Sequence, residues 1–175
     1  MQDGASIFSG LFFDLWGSVF CYLRQPMKEI RLEGLKALLQ PAKRIVVTNH
    51  INPDGDAMGS ALGLSIALKA LGHSVHVVVP NDYPEFLKWM AGTAEVVVAE
   101  NQKDLAQKLV SEAEIIFHLD YNAYLRAGVL EQPLRDAKAL KVLIDHHRQP
   151  ESWPDFIYSD IQMSSTSQMI YEWLA

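Results

Sequence analysis

Two rhythms of hydrophobic and polar positions alternate along this chain. Short β-branched or aromatic runs, Arg44–Thr48, Val75–Val79, Glu95–Ala99, Glu114–Leu119, Lys141–Ile144 and Phe156–Ser159, have the length and composition of strands buried on both faces. Longer stretches between them have helical character: Ala57–Leu71, rich in Ala and Leu and closed by Gly72, a short one at Tyr83–Met90, the amphipathic Lys103–Val110, and Asn122–Leu130. A further helix over Met27–Leu39, with apolar residues at Ile30, Leu32, Leu35, Leu38 and Leu39, leads into the first strand. The alternation predicts an α/β fold, a mainly parallel sheet of about five or six strands with helices on both faces. The 175 residues suit one domain, and 49% hydrophobic content is ample for its core.

The strand ends carry the candidate chemistry. After Arg44–Thr48 the chain reads TNHINPDGDAMGS, Thr48–Ser60, which packs His50, Asp54 and Asp56 into seven residues of a strand-to-helix loop. In α/β sheets such loops line the crevice at the carboxyl ends of the strands. Pro53 holds the stretch extended and Gly55 turns it, so that both carboxylates can project the same way, an arrangement suited to two adjacent cations. A bland reading competes: Asn52-Pro53-Asp54-Gly55 is also an ordinary turn, and Asp56 an ordinary helix N-cap. Three further runs end in the same residue types, at Asp120, at Asp145-His146-His147 and at Asp160. This recurrence favours a shared site, although Asp120 could instead cap a helix over Asn122–Leu130. Asp145 is placed to orient an imidazole. Ser164–Ser167 open the last helix and read first as capping residues, while His73, His76 and His118 lie outside the motifs and read as structural.

HxNPDGDA at His50–Ala57, Asp120 followed by Asn122 and Arg126, the DHH triplet Asp145–His147, and Asp160 followed by Ser164-Ser165-Thr166 resemble the four successive motifs of the DHH phosphoesterases. The resemblance runs over about Ile45–Ala175, and the run Val79–Met90 also resembles the oligoribonuclease (nanoRNase) branch, which acts on adenosine 3',5'-bisphosphate as well. It implies a metal-dependent hydrolase of short RNA oligonucleotides, adenosine 3',5'-bisphosphate or linear dinucleotides, in which two ions activate a water. It implies His50, Asp54, Asp56, Asp120, His146 and Asp160 as metal ligands, with Asp120 bridging. It also implies His147 at the substrate phosphate or leaving group, with Asp145 among the catalytic residues, and Asn122, Arg126, His147 and Arg148 as substrate contacts. Four carboxylates and two imidazoles without a thiolate suit Mn²⁺ best, then Mg²⁺ or Co²⁺. The alternatives are an inorganic pyrophosphatase or exopolyphosphatase of the same superfamily, or a nucleotide-binding regulatory domain without catalysis.

Charge narrows the substrate. With 15 basic and 21 acidic residues the net charge is -6, which argues against clamping a long nucleic acid. Two divalent ions would bring that to about -2, compatible with a small anionic substrate. A single cysteine, Cys21, excludes an internal disulfide and fits a reducing, cytoplasmic compartment.

The ends depart from the family pattern. Residues 1–26 form an extension whose stretch Ile7–Leu23 is apolar enough to suggest membrane contact, but Asp14 in its middle opposes insertion. The readings are an interfacial helix, a weak anchor or upstream sequence before a start at Met27, the last being preferred. Residues 27–175 then make up the catalytic domain, and nothing corresponds to the family's carboxyl-terminal substrate-binding domain. Tyr171, Trp173 and Leu174 are expected to leave an apolar patch that favours a homo-oligomer.

Overall fold

In a computed structural model, residues 32–175 are described, so the expectations for residues 1–26 and for the first turn of the Met27–Leu39 helix lie outside the described residues. The elements are α1 (Leu32–Leu38), β1 (Arg44–Thr48), α2 (Gly55–Ala70), β2 (Ser74–Val79), β3 (Val97–Val98), α3 (Lys103–Glu112), β4 (Ile115–Leu119), α4 (Glu131–Asp136), β5 (Leu140–Asp145), β6 (Phe156–Ser159) and α5 (Thr166–Leu174). All six strands are parallel and lie in the order β3-β2-β1-β4-β5-β6. The chain thus runs outward from β1 to β3, crosses back, and runs outward again from β4 to β6. The loops after β1 and β4 consequently leave the sheet in opposite directions and open a crevice between them, the place where doubly wound sheets bind ligands.

Strand alternation sorts the core into two layers. Ile45, Val47, Val75, Val77, Ile115, Phe117, Val142 and Ile144 face one way and are covered by α1, α2 and α5. Val46, Val78 and Ile116 face the other, under α3, α4 and Tyr121, Tyr124 and Leu130. Helix α2 packs against both the sheet and α5, so it buries Ala57, Met58, Ala61, Leu62, Leu64 and Leu68. Small residues on α2 let α5 come close, and a Cβ on Gly59 would stand 3.0 Å from Ser167 Oγ. Trp173 is buried against Phe117, with ring centroids 6.0 Å apart, so the expected terminal patch reduces to Tyr171 and Leu174. Among the described residues no helix is long and apolar enough to cross a membrane.

Several boundaries differ from the sequence reading for local reasons. Helix α2 starts at Gly55 because Asp54, not Asp56, is its N-cap. The helix expected over Tyr83–Met90 is a three-residue 3₁₀ turn, Glu85–Leu87, entered through the extended Pro84. The strand expected over Glu95–Ala99 pairs only at Val97–Val98, since Gly92, at φ 89°, coils Thr93–Glu95 into another 3₁₀ turn. The segment Tyr124–Leu130 is 3₁₀ rather than α-helical and is broken at Gly128, whose φ 54° and ψ -126° are open to glycine alone.

That glycine also meets the loop after β1: a Cβ built on it would stand 2.4 Å from Ile51 Cγ2. Gly128→Ala is therefore expected to lose about 1–3 kcal/mol of stability from backbone conformation, with overpacking adding to it. Denaturant melts measure the loss, and an unchanged midpoint would contradict it.

Candidate metal centre

Three strand ends deliver their polar side chains to the crevice. Beyond β1, the buried Asn49 donates from Nδ2 to Ala57 O at 3.1 Å and staples the loop to the start of α2. His50, 6% exposed, follows it, and its Nδ1 lies 2.7 Å from Ile51 O. A carbonyl can only accept, so the proton sits on Nδ1 and the lone pair of Nε2 faces the site. Nε2 is 3.5 Å from Asp120 Oδ2 and 4.0 Å from Asp54 Oδ2. Asp54 divides its work: Oδ1 accepts from Asp56 N and Ala57 N, both at 3.0 Å, and Oδ2 turns to His50.

Asp120, at the end of β4, is only 2% exposed and adopts φ 64°. Its backbone N–H still donates to Ile144 O, and the segment after it has no side-chain cap, so the capping alternative for Asp120 fails. Its oxygens are addressed separately. Oδ2 faces His50, while Oδ1 accepts from Thr166 Oγ1 at 2.9 Å and lies 3.5 Å from His146 Nε2.

Beyond β5, His146 repeats the logic of His50: its Nδ1 is 3.2 Å from Met163 O, which frees Nε2 to approach Asp56 Oδ2 at 3.7 Å and Asp120 Oδ1 at 3.5 Å. His147 Nδ1 lies 2.7 Å from Oδ1 of the fully buried Asp145, so the imidazole that Asp145 orients is that of His147, and 3.8 Å from Asp120 Oδ1. Two groups of convergent donors result, His50–Asp54–Asp120 and Asp120–His146–His147, and Asp120 belongs to both. Asp56 and Asp160 belong to neither group. Asp56 touches the second through His146, whereas Asp160 accepts from Gln162 N through Oδ1 at 2.8 Å and donates its own backbone N–H to Asp145 O at 3.2 Å.

The remaining expected contacts lie around the rim. Asn122 Nδ2 donates to Arg148 O at 2.6 Å and so ties the loop after β4 to the loop after β5. Arg126 accepts from Ile51 N through its carbonyl at 2.7 Å, and its half-buried guanidinium is close enough to disfavour a proton on His50. Arg148 is exposed. His73 accepts from Lys43 N, His76 is exposed on β2, and His118 is buried against Tyr121 Oη, where burial lowers its pKa to about 3. These three histidines lie outside both donor groups. What the sequence reading passed over is the service of the last helix to the ligands: Ser165 caps that helix, but Thr166 and Ser167 bond Asp120 and Asp56.

Electrostatics favours a charged centre. Burial opposes an imidazolium at His50, but the bonds to Asp120 and Ile51 O outweigh it and raise the pKa above 6.5. Burial likewise opposes the Asp120 carboxylate, and the bonds from His50 and Thr166 outweigh it and hold the pKa below 3.8. The donor set fits divalent cations. The pair distances of 3.5–4.0 Å fall between the cis and trans separations, about 3.0 and 4.2 Å, of ligands held at about 2.1 Å. Oxygen and imidazole donors without thiolate match Mn²⁺, Mg²⁺ or Co²⁺.

The signs of these shifts fix a test. The His50–Asp120 attraction stabilises the metal-free protein fully below pH 6.5 and is lost as pH rises through the raised His50 pKa. A metal needs that imidazole neutral, so its stabilisation should grow over the same interval. Thermal melts with and without Mn²⁺ at pH 6 and pH 8 should show the larger shift at pH 8, about 2.7 kcal/mol at a hundredfold excess over Kd. Asp120→Ala removes the residue common to both groups and should abolish the shift, and an undiminished one would refute the shared-ligand geometry.

Comparison with known proteins agrees with this arrangement. The bifunctional oligoribonuclease and PAP phosphatase NrnA of Thermus thermophilus is 33% identical over 138 residues, 79% of this chain and 37% of that protein. The chain thus spans 37% of the length of this relative. A crystal structure of an exopolyphosphatase-related protein from Bacteroides fragilis superposes with a TM-score of 0.80 at 35% identity, covering 82% of this chain and 42% of that one. The manganese-bound exonuclease RecJ, at 16% identity and a TM-score of 0.52 over 85% of this chain and 37% of its own, shares the fold. Residues 44–175, from the first strand through every candidate ligand, match the model of the DHH family, N-terminal domain, and the chain belongs to the DHH family.

Proposed function

We propose that this chain carries the catalytic site of a manganese-dependent phosphoesterase that hydrolyses short oligoribonucleotides in the 3'-5' direction and removes phosphate from adenosine 3',5'-bisphosphate. The observation that carries the reading is Asp120, a buried carboxylate whose two oxygens face separate imidazoles, His50 and His146, as a bridging ligand requires. His50, Asp54 and Asp120 would hold one ion, and Asp120, His146 and Asp56 the other, with Asp160 as the remaining candidate ligand. Two such ions supply an activated water and neutralise the phosphoryl oxygens.

The chain's own residues do the rest. Asp145 accepts from His147 Nδ1, so Nε2 is the atom left to serve the leaving oxygen; with the ring as the imidazolium, Nε2 would give its proton to that oxygen as general acid and the ring would be left neutral. Arg126 and Arg148 would neutralise the phosphate, with Asn122 tying together the two loops that present them. An acidic chain offers no basic track for a longer backbone, which favours short substrates. The single cysteine supports a cytoplasmic setting.

A second reading, an exopolyphosphatase or inorganic pyrophosphatase, draws on the 35% identity to the Bacteroides structure. A non-catalytic regulatory role is disfavoured by the retained donors and by the Asp145–His147 pair. Turnover of a dinucleotide, adenosine 3',5'-bisphosphate, pyrophosphate, polyphosphate and a long RNA strand, each with Mn²⁺ and with EDTA, separates them. The proposal expects metal-dependent cleavage of the first two, and it fails if pyrophosphate or polyphosphate is preferred. His147→Ala should lower kcat by about 10²-fold or more while leaving Mn²⁺ affinity in place. A parallel loss of affinity would make His147 a ligand instead.

A further inference from the structure

The stretch Met163–Ser167, which follows the candidate ligand Asp160 and enters the last helix, supplies no candidate ligand itself, yet three candidate ligands rest on it. Met163 O accepts from His146 Nδ1 at 3.2 Å. Thr166, fully buried, donates from Oγ1 to Asp120 Oδ1 at 2.9 Å and from its backbone N–H to Asp56 Oδ2 at 2.8 Å. Ser167 donates from N–H to Asp56 Oδ1 at 2.7 Å and from Oγ to Asp56 O at 3.1 Å. His146, Asp120 and Asp56 come from three different strand-end loops, and no pair of them is joined by a direct donor–acceptor bond of ordinary length. All three bond this one five-residue stretch, Met163–Ser167.

We propose that Thr166 is a positioning residue for the metal pair, with Ser167 and Met163 O as its accessories. The physical case rests on what each bond withholds. A carboxylate oxygen has two lone-pair sites, and a hydroxyl or N–H that occupies one leaves the other aimed in a defined direction. Thr166 thereby sets the rotation of the Asp120 carboxylate, and the backbone donors of the first turn of α5 set that of Asp56, where the helix terminus also favours negative charge. The main-chain donors come with any helix at this place. The Thr166 hydroxyl does not, and a capping role would leave it aimed at its own helix, as Ser165 is through its bond from Gln168 N. Metal ligands whose outer partners are removed lose affinity because the ligand must then be oriented at the moment of binding.

This inference rests on the reading of the cluster as a metal centre, and calorimetric titration of the whole chain with Mn²⁺ tests the two separately. Thr166→Val keeps the branched shape and removes the hydroxyl, Thr166→Ser keeps the hydroxyl, and Ile170→Ala loosens the same helix through the core without touching a carboxylate. The expected result is a Kd raised on the order of 10- to 100-fold in Thr166→Val, recovery to within a few-fold of the parent in Thr166→Ser, and near-parent affinity in Ile170→Ala, even where melts show Ile170→Ala to be the less stable protein. Unchanged affinity in Thr166→Val overturns the positioning role while leaving the metal centre standing. An equal loss in Ile170→Ala overturns it too, because the effect would then follow helix stability. Absence of Mn²⁺ binding in the parent chain would remove the metal centre and the inference together.

Discussion

A carboxylate that is 2% exposed at the end of a buried strand is the constraint around which this molecule is arranged. An ionised group in that position is costly unless every oxygen finds a partner. Asp120 finds His50 on one oxygen and Thr166 and His146 on the other. Those partners come from the ends of β1 and β5 and from the start of α5, which is possible only because the sheet order sets β1 beside β4 and β4 beside β5. The parallel sense matters equally, since it brings all three strand ends to the same edge. Topology and the charge of one residue are thus two sides of a single requirement.

The same edge concentrates the unusual backbone. Asn52, Asp120 and Gln149, the non-glycine residues with positive φ among those described, all follow the central strands β1, β4 and β5 within a few residues. Asn and Asp tolerate this region better than most side chains, but each such residue still costs free energy that the surroundings must overcome. Here the surroundings are visible: Asn52 N is bound by Asn81 Oδ1, and Asp120 N by Ile144 O. Turning the chain sharply at these points keeps the ligand side chains over the crevice.

How much of this could be read in advance follows from the range of the interactions involved. The strands were legible because Ile45–Val47, Ile115–Leu119 and Val142–Ile144 are continuous apolar runs, and the ligand candidates because they directly follow those runs. That Asp145 would orient an imidazole was legible because two histidines directly follow it, whereas the choice of His147 over His146 is set by the fold. Features of longer range were not. Asp54 rather than Asp56 caps α2 because Asp56 is claimed by Thr166 and Ser167, 110 and 111 residues away, and no local pattern announces that. The break at Gly128 answers to Ile51, and the burial of Trp173 answers to Phe117. Ser164–Ser167 read as capping residues since capping is what such residues most often do, and Ser165 does cap. The two residues after it, Thr166 and Ser167, serve carboxylates that only the folded chain brings within reach.

Charge distribution closes the physical account. A chain of net charge -6 that gathers Asp54, Asp56 and Asp120 at one crevice repels any phosphate ester from the place where it would react. The fixed positive groups nearby are few: Arg126 lies close enough to act on His50, and Arg148 stands exposed beside the DHH triplet. They cannot offset three carboxylates, and His50 and His146 contribute positive charge only while protonated, the state in which they cannot bind a cation. Under the function proposed above, the metal-free crevice would therefore disfavour a phosphate, and the same ions that would activate water would also make the site attractive to substrate. Affinity for the anion would then depend on the ions rather than on an extended basic surface, and a chain of net charge -6 would favour a short substrate over a long one.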